Sequence, residues 1–265
     1  PKADILFVVD NSCSMQEEQN VLANTWDAFA NAAAAAGLDW QIGITTTDVG
    51  QGGERGAFLG TPAILTPNNP NPRMEFMQRA SPGITGSGFE RGLEASYLAL
   101  SPPMSTGMNA GFLRPDASLI IIYLSDENDG SQRPVAFYRN FFAGLKPADQ
   151  IRIHAITGIT QGGCVGPNGN ADFGQRYVAV GQGFSNLPLS ICQNDWSPAV
   201  SDFGSVLGAQ SYVLLSDAQA GTESVTVGGM SVPEAEADGS VNWSFDGERT
   251  VTVLPQALPP AAPGM

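Results

Sequence analysis

Basic residues are scarce in this chain. Lysine occurs only at Lys2 and Lys146, and 12 Lys and Arg stand against 26 Asp and Glu, a formal net charge of −14 over 265 residues. A surface of that sign repels phosphate backbones, so nucleic acid is not an expected partner, while cations accumulate readily at any cleft. Histidine is present once, as His154 in the stretch IRIHAITGI. A single histidine inside a strand pattern leaves no evident Ser-His-Asp triad, and the chain is read as a non-enzyme. No apolar run reaches the roughly 18 residues a membrane helix needs, so no transmembrane segment is expected. Only 14% of residues are charged, well under the usual quarter or so. The polar surface is carried by Asn, Gln, Gly, Ser and Thr instead. That balance leans towards an extracellular, cell-surface or periplasmic protein. Pro1-Lys2-Ala3-Asp4 enters a strand at once with no signal peptide, and is read as a processed or trimmed N-terminus.

Cysteine is also sparse, with three in all. Cys164 and Cys192 flank a loop-rich stretch and make the simplest disulfide, leaving Cys13 free; three thiols in a reducing cell are the alternative. Closing that loop would stabilise the fold by roughly 3–4 kcal/mol.

What is abundant is glycine (31) and proline (19), so long connections are expected between regular elements. The elements themselves alternate. Ala3–Val9 (ADILFVV) reads as a buried parallel strand, Gln16–Ala36 as one helix stopped by Gly37, and Trp40–Thr46 as a second strand. Residues 48–82 form an irregular insertion, with possible short strands over Phe58–Leu65 and a short helix over Arg73–Ala80. Gly88–Leu100 reads as a helix with Phe89, Leu93, Tyr97 and Leu100 on one face. Ser118–Leu124 (SLIIIYL) is the central strand, Val135–Leu145 a helix and Ile151–Ile159 a strand. Residues 162–196 are the cysteine-flanked loops, with a helical turn near Tyr177–Gly181, and Ala199–Ala209 reads as a last helix. This pattern predicts an α/β domain over 1–215, a doubly wound, mostly parallel sheet flanked by helices. Short strand-like runs from Ser211 onward, with hairpin turns at Gly228-Gly229 and Asp246-Gly247, predict a small β segment, bounded at 216–255. Residues 256–265 read as a Pro/Ala-rich tail.

The chemistry concentrates where the first strand ends. Asp10-Asn11-Ser12-Cys13-Ser14 is Asp-x-Ser-x-Ser between a buried strand and a helix. One carboxylate and two hydroxyls are hard donors, which suit Mg²⁺, Ca²⁺ or Mn²⁺. In an open α/β sheet, ligands bind outside the carboxyl ends of the strands, and Asp10 and Asp126 both fall at that edge. The thiol of Cys13 is a poor ligand for a hard cation and is expected to pack against the sheet.

In this slot the sequence resembles the von Willebrand factor type A, or integrin I-like, domain family over about residues 3–215. The pentad matches that family's metal-ion-dependent adhesion site. The resemblance implies two further ligands. A hydroxyl precedes the helix containing Gly92-Leu93, at Ser87 with Thr85 as the fallback, and an Asp follows the central strand, at Asp126. The implied set is therefore Asp10, Ser12, Ser14, Ser87 and Asp126 around one divalent cation, Mg²⁺ first, with Ca²⁺ or Mn²⁺ as alternatives. Asp48, Glu127 and Asp129 are candidates for the rim or a second ion, as are Thr46 or Thr47 for the rim. Neutral hydroxyls leave such a cation electrophilic, with a position open to an Asp or Glu of a protein partner. The implied function is a cation-dependent adhesion module of the bacterial surface or secreted type. The alternatives are a self-assembling subunit of a surface filament or particle, and a subunit of a metal-chelatase-like complex. The last expects a cytoplasmic chain, which a Cys164–Cys192 disulfide would oppose.

Overall fold

Apolar runs too continuous for a sheet wetted on one face become strands buried on both. The computed structural model describes residues 1–147, 150–167, 169–184, 188–193 and 196, together with the backbone of five later strands. In chain order the first elements are β1 (Lys2–Val9), α1 (Gln16–Asn24), α2 (Trp26–Ala35), β2 (Asp39–Thr46), α3 (Pro72–Ala80) and α4 (Gly92–Leu100). Then come β3 (Ser118–Leu124), α5 (Val135–Ala143), β4 (Ile151–Thr157), the short strands β5 (Cys164–Gly166) and β6 (Gly169–Ala171), α6 (Gln175–Gly181) and β7 (Pro188–Ser190). Strands β2-β1-β3-β4-β7 form one sheet, and every pairing in it is parallel. The α/β, doubly wound architecture expected from the alternation is therefore the one observed.

Side chains alternate across the sheet. On one face Leu6, Val8, Ile121 and Tyr123 pack with Leu93, Tyr138, Phe142 and Tyr177 from the helices. On the other, Phe7 meets Phe76 of α3 edge-on, and Trp26 packs against both Phe76 and Trp40. β1 and β3 are adjacent, with Val9 opposite Leu124. The chain leaves β1 for β2 on one side and returns to β3 on the other, so the crevice between the carboxyl ends of β1 and β3 is the topological switch point.

Several local expectations need correction. The helix expected over Gln16–Ala36 is two helices, broken at Thr25. The Thr25 hydroxyl donates back to the Leu22 carbonyl at 2.7 Å, competing with the helical ladder. The helix expected from Gly88 begins at Gly92, because its first N–H groups are satisfied from elsewhere: Leu93 N donates to Asp129 and Glu94 N to Ser131. Phe89 thus lies outside the helix and is 75% exposed. No strand pair forms over Phe58–Leu65; Leu65 only bridges Ile42. The fifth sheet strand, β7, lies unanticipated within the cysteine-flanked region.

Cys164 and Cys192 are joined, their Cα atoms 6.1 Å apart, and Cys13 is free. Cys13 is also exposed rather than packed on the sheet, since the pentad turns away from β1 after Ser12. Replacing both paired cysteines by serine should cost roughly 3–4 kcal/mol by loop-closure entropy, measured as a lower urea midpoint.

By its contacts the chain divides into two units, Lys2–Asp27 with Asp39–Ala199, and Pro1 with Ala28–Leu38 and Val200–Met265. In the second, β8 (Gln210–Val213), β9 (Val225–Val227), β10 (Met230–Val232), β11 (Trp243–Phe245) and β12 (Thr250–Val253) are all short. β9 and β10 pair antiparallel, and β11-β12-β8 form a three-stranded antiparallel sheet; the turns expected at Gly228-Gly229 and Asp246-Gly247 lie outside the described residues. β8 pairs with β12, so the β segment includes residues before 216. The helix expected over Ala199–Ala209 and the tail at 256–265 lie outside the described residues.

Candidate metal site

The β1–β3 register sets the geometry. Asp10 N donates to Leu124 O at 2.9 Å, carrying the sheet one residue past β1. The Asp10 carboxylate is fully buried at the crevice mouth. Its Oδ1 accepts from Ser12 N at 2.8 Å and its Oδ2 from the Ser125 hydroxyl at 2.6 Å. Ser12 and Ser14 hold their hydroxyl oxygens 3.3 Å apart. Ser14 and Asp126, the latter reached from the end of β3, line one cleft. Asp10, Ser12, Ser14 and Asp126 therefore lie at the neighbouring carboxyl ends of β1 and β3.

Gln19 fastens a third loop to them. Its amide donates to Asp10 O and Gly83 O, both at 2.8 Å, and its carbonyl accepts from Gly83 N. Gly86 N then donates to Asn11 O at 2.9 Å. A Cβ at Gly86 would stand 2.2 Å from Asn11 Oδ1, so a larger residue here would have to displace the Asn11 side chain. Ser87 follows directly. Its N–H donates to Asp48 Oδ2, and its hydroxyl accepts from Phe89 N at 3.1 Å. Ser87 is half-buried and Thr85 exposed.

The rim candidates separate by what they already hold. Asp48 accepts from Gly50 N and Ser87 N, tying the loop after β2 to the Ser87 loop. The Thr46 hydroxyl bonds Glu54, while the Thr47 hydroxyl is buried without a partner among the described residues. Asp129 is committed to the protein: it accepts from Leu93 N, the Ser131 hydroxyl at 2.7 Å and Arg176 Nε at 2.8 Å. Glu127 N donates to the Ser125 hydroxyl at 3.1 Å, while Glu90 Oε1 is buried without a partner among the described residues.

Glu90 and Glu18 are the acids that motif reading missed. Glu18 is 3% exposed and Glu90 2%. Burial lifts the Asp10 carboxyl to about 6, Glu18 to about 7 and Glu90 to about 8, with neighbouring carboxylates adding to each. Burial likewise raises Asp126. None of the ion pairs among the described residues supplies a Lys or Arg to these four. Asp126 Oδ1 and Asn11 Oδ1 are buried with no hydrogen-bond partner among the described residues. Orphaned oxygen lone pairs, crowded carboxylates and no basic side chain are what a hard cation would satisfy. Among the described residues no three Asp, Glu, His or Cys side chains cluster to hold a metal. The candidate set instead mixes two carboxylates with hydroxyls, and that donor set fits Mg²⁺ or a similar ion.

A parallel sheet with order β2-β1-β3-β4-β7, the pentad at the end of β1, a hydroxyl loop docked on it and an Asp after β3 decide the architecture. In these features the fold resembles that of von Willebrand factor A domains.

No family model matches the chain, and no curated protein does. Solved structures similar to it include proximal thread matrix protein 1 of the mussel byssus, 14% identical, covering 80% of this chain and 50% of that one, TM-score 0.49. That mussel protein has also been solved with zinc in its MIDAS motif. A von Willebrand factor type A protein from Catenulispora acidiphila is 11% identical over 96% of this chain and 54% of that one, TM-score 0.48. The pilus adhesin SpaC of Lactobacillus rhamnosus GG is 12% identical over 95% and 37%, TM-score 0.38. The chain spans about half the length of the first of these proteins. The resemblance rests on the topology and loops of this chain.

Proposed function

We propose that this domain binds a protein partner through one divalent cation, held by Asp10, Ser12, Ser14, Ser87 and Asp126, that accepts an Asp or Glu of the partner. The observation carrying the reading is the orphaned, buried oxygen of Asp126 beside a buried Asp10, with no ion pair to either among the described residues. A bound Mg²⁺ would supply a Lewis-acidic position for an incoming carboxylate. The chain's own residues do the rest. Ser125 and Ser12 N fix the Asp10 carboxylate, Gln19 locks the hydroxyl loop, and Asp126 closes the crevice from β3. Hydroxyl ligands add no charge, so two carboxylates leave room for a third from outside. Binding rather than catalysis is supported by His154, which is buried in β4 and pushed down to about 3 by desolvation. An extracellular or surface setting is supported by the Cys164–Cys192 disulfide. No helix among the described residues is long and apolar enough to cross a membrane.

The test is calorimetric titration of Mg²⁺, Ca²⁺ and Mn²⁺ into chelator-stripped protein. Saturable binding of one equivalent, abolished by Asp10→Ala, is expected. An Asp10→Ala variant that binds like the native chain would sink the reading.

A further inference from the structure

The cleft beside the pentad contains a carboxylate that the proposed metal does not use. Glu18, in the first turn of α1, is buried, yet its Oε2 has no hydrogen-bond partner among the described residues. It lines a cleft of ≈ 480 Å³ that adjoins the metal ligands Ser14 and Asp126 and is lined further by Glu17, Pro167, Gly169 and Asn170. One wall is the β5–β6 hairpin, fixed by the Cys164–Cys192 disulfide and by Asp172 N donating to Asp126 O at 2.7 Å. Gly169 has φ 137°, and a Cβ there would lie 3.1 Å from Glu18 Oε1. Glycine therefore keeps the wall open over the carboxylate.

A buried carboxylate oxygen with no donor is costly and calls for a positive, hydrogen-bonding occupant. Among the described residues no three acidic, His or Cys side chains stand close enough to hold an ion jointly, so Glu17, Glu18 and Asp126 do not close on a second metal. An ammonium or guanidinium brings its own N–H donors, and its alkyl stem suits the apolar surface of Pro167. No described ion pair gives Glu17 or Glu18 a basic partner from within the chain. With 12 basic residues against 26 acidic ones, an external source fits the charge balance. We propose that this cleft receives a Lys or Arg side chain of the same partner whose acid reaches the cation. The recognised segment then carries an acidic residue with a basic residue a few positions away. This rests on the cation-dependent reading above.

The experiment pans displayed short random peptides against immobilised protein in Mg²⁺, elutes with EDTA, and compares the native chain with Glu18→Gln. Peptides from the native protein should be enriched several-fold in Asp or Glu, and several-fold in Lys or Arg nearby. Glu18→Gln should keep the acidic enrichment and lose the basic one. Asn170→Arg, which lays a cation into the cleft from the hairpin, should do the same. Basic enrichment that survives both substitutions overturns the proposal, as does an acidic pool from the native protein with no basic enrichment. A Glu18→Gln protein that loses an equivalent of Mg²⁺ in calorimetry assigns the cleft to a second metal and overturns it too. A native pool with no EDTA-released acidic peptides fails differently: it removes the cation-dependent reading, and this inference with it.

Discussion

Stripped of divalent cations, the protein should lose stability steadily as pH rises from about 5 to about 8.5, and Mg²⁺ should restore it at the alkaline end. Asp10, Glu18 and Glu90 are held by burial at about 6, 7 and 8, above the ordinary carboxyl range. Across that window the native state binds more protons than the unfolded chain, so stability falls as pH increases. Their contribution is fully present below the unfolded carboxyl values near about 4 and disappears as pH passes through the folded ones. Salt-bridged carboxylates give the opposite slope. The check is the urea midpoint across this range, with EDTA and with Mg²⁺. A flat or rising midpoint in EDTA would mean the acids are neutralised by something other than protons or metal.

Asp126→Ala and Asp129→Ala should part company, although only three positions separate them. Asp126 carries an orphaned oxygen at the crevice, and its removal should weaken Mg²⁺ binding roughly 100-fold, about 3 kcal/mol. One unit charge pair at 4 Å is already worth about 4 kcal/mol at an effective dielectric of 20, and the ion is divalent. The fold should survive that change, since burial of Asp126 is itself unfavourable. Asp129 holds Arg176, Ser131 and the Leu93 N–H in the first turn of α4. Removing it leaves a partly buried guanidinium and a helix start unmet, a loss of about 3 kcal/mol, with Mg²⁺ affinity little changed. Calorimetry and urea melts on both variants separate the two roles. Equal loss of Mg²⁺ affinity in both would place Asp129 at the metal.

The parts legible in the sequence were those with local causes. ADILFVV and SLIIIYL have no polar face, so they read as strands buried on both sides, and both are central. Asp-x-Ser-x-Ser between strand and helix is likewise a local pattern, and the register of β1 on β3 does bring Asp10 and Asp126 together. What escaped depended on distant residues. The start of α4 is set by Asp129 and Ser131, 36 and 37 positions from the N–H groups they accept from, so helical periodicity alone placed it four residues early. Glu17 and Glu18 look alike as first-turn acids suited to the helix dipole, but only Glu18 is buried. Its environment is built partly by the hairpin at Cys164–Ala171. Glu90 was hidden within an expected helix; the loop that replaces it buries the side chain. Asp129 resembled a ligand because its partner Arg176 lies 47 residues on.

The most direct test locates the ion. Mn²⁺ is added in small increments to isotopically labelled, chelator-stripped protein while amide resonances are followed by NMR. The account predicts that the first signals to broaden come from the pentad, the Ser87 loop and the Asp126 loop, and that Asp10→Ala abolishes the effect. Broadening centred elsewhere, or unchanged in Asp10→Ala, would contradict it.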